Sequence, residues 1–134
     1  MVNLLILTKI IKYIYFKKFY RINVTNTSFM FYQCPSLEGL NLSNFNTNNV
    51  TNMSCMFSRC SLLEELNLPN FSTNKLTTTY CMFNECSSLN QLNLSNFNTN
   101  KGTSMDKMFN GCLALKKENI ITNDKKIKDM FKSK

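Results

Sequence analysis

Val50-Thr51-Asn52-Met53-Ser54-Cys55-Met56-Phe57-Ser58-Arg59-Cys60, continuing through Leu63-Glu64-Glu65-Leu66-Asn67-Leu68 to Asn70-Phe71-Ser72-Thr73-Asn74-Lys75, is a 26-residue unit that the chain repeats. Met-Phe pairs stand at Met30-Phe31, Met56-Phe57, Met82-Phe83 and Met108-Phe109, each 26 residues after the last. Cys34, Cys60, Cys86 and Cys112 keep the same interval, as do Leu37, Leu63, Leu89 and Leu115. A fixed period of this length marks one supersecondary unit copied and stacked, so that each copy buries its apolar side against its neighbours.

Within the unit, Met53, Met56, Phe57 and Cys60 fall at i, i+3, i+4 and i+7, the spacing of one helical face. Thr51 precedes that run as an N-cap hydroxyl would, with Thr25, Thr77 and Thr103 in the equivalent places. The spacing therefore predicts a short helix. Leu63-x-x-Leu66-x-Leu68 then predicts a strand with Leu66 and Leu68 pointing inward. Phe71 closes the inside of the following turn, and Asn-Phe-x-Thr-Asn is turn chemistry, because asparagine bonds its own backbone and tolerates left-handed conformations. Copies in one register place the strands side by side, about 4.8 Å apart, in a parallel sheet.

The N-terminal residues fit the pattern in diverged form. Leu4-Leu5 replaces Met-Phe, Ile11-x-x-Ile14-x-Phe16 replaces the leucine triplet, and Phe19 takes the turn position. The apolar run Leu4–Leu7 is too short for a secretory or membrane segment, and Lys9 and Lys12 interrupt the residues beyond it, so no membrane insertion is expected. The expected division is a diverged rung over 1–29, regular repeats at 30–55, 56–81 and 82–107, and an incomplete rung over 108–134. At that last rung Glu118 stands where Leu92 stood and Ile120 keeps the Leu94 position. A stack ending mid-rung leaves its last face without a dedicated cap and open to end-to-end self-association.

Charge and composition narrow the function. The chain has 134 residues, no histidine and a net charge of +8. Without histidine there is no Ser-His or Cys-His pairing and no histidine-bound zinc. The charge is concentrated at the ends: Lys9, Lys12, Lys17, Lys18 and Arg21 face no acid before residue 30, whereas residues 30–100 carry −2 and the remainder +5. A nucleic-acid surface would carry its lysines as a stripe across every repeat, so the basic ends read as solubilising, and no nucleic-acid partner is expected. Scattered acids (Glu38, Glu64, Glu65 and Glu85) do not converge as catalysis requires. The six cysteines invite zinc at Cys55-x4-Cys60 and Cys81-x4-Cys86, but Cys34 and Cys112 hold the same rung position without partners. The repeat itself explains the spacing. A column of buried thiols is the expectation, with a Cys55–Cys81 bridge under oxidising conditions as the alternative.

Leu-x-x-Leu-x-Leu, Ser-Asn-Phe-Asn-Thr-Asn, Val-Thr-Asn-Met and Met-Phe-x-x-Cys together closely resemble the BspA-like leucine-rich repeat, clearest at Leu40–Thr47 and Leu92–Thr99. This 26-residue repeat occurs in bacterial surface proteins and lipoproteins and in some protists and large DNA viruses. The resemblance implies an α/β leucine-rich-repeat solenoid of four to five rungs, with short parallel strands on one face and short helices on the other. It also implies a non-catalytic role in attachment or protein–protein interaction, without a cofactor. The outward strand positions are the candidate contacts for a protein partner: Tyr13, Gly39, Glu65, Gln91 and Lys117 in one column, and Tyr15, Asn41, Asn67 and Asn93 in the next, with Lys17 at the edge. The alternative function is that of a structural array fragment, growing through uncapped terminal rungs.

Overall fold

Outward and inward residues alternate through each leucine stretch, and each stretch forms a strand of three or four residues. The computed structural model describes residues 11–15, 23–99 and 103–131. Its strands are β1 (Tyr13–Tyr15), β2 (Gly39–Asn41), β3 (Glu65–Asn67), β4 (Gln91–Leu94) and β5 (Ile120–Thr122). All pairings are parallel. β1 pairs with β2 in one sheet, and β3, β4 and β5 form a second. Tyr13 lies opposite Gly39 and Glu65 opposite Gln91, so these partners are 26 residues apart. Residues 1–10 and 16–22, which hold most of the diverged first rung and Lys17, lie outside the described residues.

The α/β leucine-rich-repeat solenoid with a layer of helices is not what the structure contains. The described residues form small strands in two short parallel sheets, and their single α-helix is the five-residue α1 (Lys125–Asp129). Hydrogen bonding explains why the helical spacing misleads. Met56, Ser58 and Cys60 donate three residues back, to the carbonyls of Met53, Cys55 and Phe57. The alternate amides of Cys55, Phe57 and Arg59 instead leave the segment for the carbonyls of Tyr80, Met82 and Asn84, at 2.9, 2.9 and 2.8 Å. An α-helix cannot export every second N–H. Nor can it hold a left-handed residue every fourth position, and here Cys55 and Arg59 have φ of 55° and 65°. Phe29 and Gln33, Cys81 and Glu85, and Lys107 and Gly111 repeat that pair. Successive turns bring Met53, Met56, Phe57 and Cys60 to the inside at a spacing indistinguishable from a helical stripe. Each left-handed non-glycine residue costs about 1–2 kcal/mol, offset by hydrogen bonds to the next unit. Thr51 and Thr77, read as helix caps, instead donate their hydroxyls backward to the carbonyls of Thr25 and Thr51.

Columns of identical side chains fill the interior. Phe31, Phe57, Phe83 and Phe109 stack with ring centroids 5.5, 5.5 and 5.6 Å apart and planes within 6° of parallel. Phe45 and Phe71 form a second column, 6.0 Å apart, under the turn. Buried threonines tie the units together: Thr47 Oγ1 donates to the Ser72 carbonyl and accepts from the Ser72 amide, and Thr73 treats Asn98 likewise.

The last unit departs from the expected register. Leu92 lies opposite Ile120, Asn93 opposite Ile121 and Leu94 opposite Thr122, an offset of 28. A 3-10 turn at Lys117–Asn119 takes up the two extra residues. Ile120 therefore occupies the Leu92 position, not that of Leu94. The end is also capped, contrary to expectation. Asp124 Oδ2 accepts from the Thr99 amide and hydroxyl at 2.5 and 2.7 Å, ending the threonine ladder with a carboxylate. Its Oδ1 accepts from the amides of Lys126 and Ile127, so the same side chain is the N-cap of α1. Ile127 is fully buried beneath, and Phe131 covers Phe109 at 5.1 Å.

Candidate binding face

Strand alternation turns Gly39 and Asn41, Glu65 and Asn67, and Gln91 and Asn93 away from the core, in register across neighbouring units. Tyr13 stands beside Gly39 with just over half its surface exposed. A Cβ on Gly39 would come within 2.8 Å of the Tyr13 ring, so glycine is what lets that ring lie flat on the sheet. Tyr15 belongs to β1, though its side chain, like Lys17, is outside the described residues. Lys117 does not join this face. It opens the 3-10 turn, and the two-residue slip gives the end of the face to Asn119 and Ile121, the latter 62% exposed.

The asparagine column is held locally, not amide to amide. Asn41 and Asn93 accept from the amides of Ser43 and Ser95, each at 3.0 Å, closing a turn at the strand end. Asn67 is followed two residues on by Pro69, which has no N–H to give. Amide-to-amide ladders do occur elsewhere, from Asn49 to Asn23 and from Asn110 to Asn84.

Residues preceding the strands complete the face, and strand alternation alone does not find them. Glu38 accepts from Lys12 Nζ at 2.9 Å and from the Tyr13 hydroxyl at 2.8 Å. The Lys12 hydrogen bond, then that of Tyr13, hold the Glu38 carboxyl below its usual range, and Glu38 in turn raises Lys12. A groove of about 330 Å³ crosses Glu38, Leu40, Glu65, Asn67, Asn93 and Ile121. A neighbouring one of about 350 Å³ lies between Tyr13, Leu62, Glu64 and Gln91. Their signal in the sequence is the clustering of Glu38, Glu64 and Glu65 in an otherwise basic chain.

All six cysteines are buried and unbridged. Cys60, Cys86 and Cys112 each donate to a phenylalanine carbonyl of the previous unit, at 3.2, 3.0 and 3.0 Å. Burial, then proximity to Cys112, pushes the Cys86 thiol up; the hydrogen bond to Cys34 and then burial do the same for Cys60. Among the described residues, no group of three or more cysteines and acids is placed to hold a metal ion, and no helix is long and apolar enough to cross a membrane. Thiolate is the reactive form, so at pH 8 Ellman's reagent is expected to label the native chain slowly and all six thiols at once in denaturant. Rapid labelling of the native protein at Cys60 or Cys86 would contradict the buried column.

A stack of 26-residue units showing a largely polar, parallel-stranded face defines a repeat protein. The chain belongs to the family described as Mycoplasma protein of unknown function, DUF285, whose model matches residues 8–125. No curated protein and no solved structure matches it.

Proposed function

We propose that the protein is a non-catalytic interaction or attachment module whose sheet face binds a protein partner. The observation that carries this reading is the register: Glu65 with Gln91 and Asn67 with Asn93 are fixed side by side by backbone pairing, so a partner meets side chains already ordered. Kinship with the BspA-like repeat, and with it a place at a cell surface, belongs to the same proposal. The capped C-terminal end counts against the alternative of end-to-end growth, since a second copy would have to displace Asp124, Ile127 and Phe131.

Affinity capture with the purified chain tests the proposal against a Gln91→Arg/Ile121→Arg variant, which alters two exposed positions of the face. A partner kept by the parent and lost by the variant, with unchanged circular dichroism, is expected. Identical capture by both proteins would remove the sheet face from the interaction.

A further inference from the structure

The sheet ladder is interrupted once among the described strands. β2 and β3 are neighbours in space yet lie in different sheets. At this break Leu40 stays half-buried, whereas its counterparts Leu66 and Leu92 are 3% and 2% exposed. The groove of about 330 Å³ crosses the break, and Leu62 and Tyr13, each about half exposed, line the adjoining one. Leu62 and the Tyr13 ring therefore meet solvent beside the break, as Ile121 does farther along the face, whereas Leu40 faces inward and packs on the core.

The charge at this place is opposite to that of the chain. Glu38 is matched by Lys12, and the other ion pair among the described residues, Arg59–Glu85, lies elsewhere. Glu64 and Glu65, both exposed, have no cation against them among the described residues. Asn67 adds a side-chain carbonyl that its own turn does not use, because residue 69 is proline. Two carboxylates and an amide oxygen disfavour phosphate backbones and anionic lipid, and Leu62 and the Tyr13 ring lie beside them. They match a segment carrying ammonium groups on one side and aliphatic groups on the other, as an extended strand with alternating residues does.

We infer that the β2–β3 break is the docking line for an extended, lysine-rich segment of a partner protein, with its aliphatic side chains on Leu62 and the Tyr13 ring and its ammonium groups at Glu64 and Glu65. The inference rests on the reading of this face as an interaction surface and narrows it to one partner chemistry.

Fluorescence anisotropy with a labelled octapeptide of alternating lysine and valine tests it, with the glutamate–valine octapeptide as counter-probe. The lysine peptide is expected to bind, to weaken as salt is raised, and to lose affinity about tenfold or more in Glu64→Gln/Glu65→Gln. Both positions are exposed, and circular dichroism checks that the variant keeps its fold. Equal binding of the two peptides, equal affinity of the variant, or no binding at all overturns the inference. It leaves the broader reading standing if Gln91→Arg/Ile121→Arg still loses its captured partner. A concentration-dependent mass in light scattering that Glu64→Gln/Glu65→Gln abolishes also overturns it, by making a second copy of the chain the occupant.

Discussion

Phe83→Ala is expected to lower the free energy of unfolding by about 3–5 kcal/mol, a large part of the stability of any domain this size. The ring is fully buried and lies between Phe57 at 5.5 Å and Phe109 at 5.6 Å, both nearly parallel to it. Its removal opens a void that neither neighbour can fill without leaving its own rung, because each backbone is fastened to the next by hydrogen bonds such as those from the Phe57 amide to the Met82 carbonyl and from the Phe83 amide to the Met108 carbonyl. Phe31→Ala removes the first phenylalanine of the column, stacked on Phe57 and slightly exposed, and is expected to cost less. Urea denaturation of both variants measures the difference. A loss below about 1 kcal/mol for Phe83→Ala would mean that the column does not hold the units together.

The second large effect is expected at Asp124. Asp124→Ala removes the acceptor for the Thr99 amide and hydroxyl and the cap of the Lys126 and Ile127 amides. A lost N-cap costs about 1 kcal/mol and a stranded buried donor about 1–3 kcal/mol, so a loss of about 2–4 kcal/mol is expected. Burial alone would raise the carboxyl's pKa, but the hydrogen bonds from Thr99, Ile127 and Lys126 outweigh it and hold Asp124 below the usual aspartate value. The carboxylate's contribution is therefore fully present above an unfolded-state pKa of about 3.9 and disappears as pH falls from there through the lower folded value. Thermal melts between pH 7 and pH 2 should show the parent losing stability below about pH 4, with Asp124→Ala flatter over the same window. Parallel curves would assign the acid sensitivity to other carboxylates.

Sequence alone reveals the period, the inward leucines and the phenylalanine column, because all three are translations by one fixed number of residues. It does not reveal how the Met-Phe segment is built. Apolar side chains at i, i+3, i+4 and i+7 report which residues face inward, and tandem turns that export alternate amides satisfy that condition as well as a helix does. Cys55, Arg59, Cys81 and Glu85 have left-handed backbones although none is a residue that favours them, so propensity gives no warning. At the end of the chain the fixed period itself misleads. Stepping 26 residues forward from Gln91 and Leu94 leads to Lys117 and Ile120, but a short turn consumes two residues more. On the face, Glu65, Asn67, Gln91 and Asn93 are legible from alternation. The contributions of Glu38, Leu62 and Glu64 depend on where the loops before the strands settle, which periodicity does not encode.

The amides that leave the turn segment run one way, each borrowing its acceptor from the copy on its C-terminal side: Cys81, Phe83 and Glu85 rely on the carbonyls of Asp106, Met108 and Asn110. Shortening the protein from its far end would strand those donors, and simple extension there would sacrifice Asp124 and α1. An engineer wishing to make this molecule longer should therefore splice whole duplicates into the middle and leave Asp124 and α1 to close the stack.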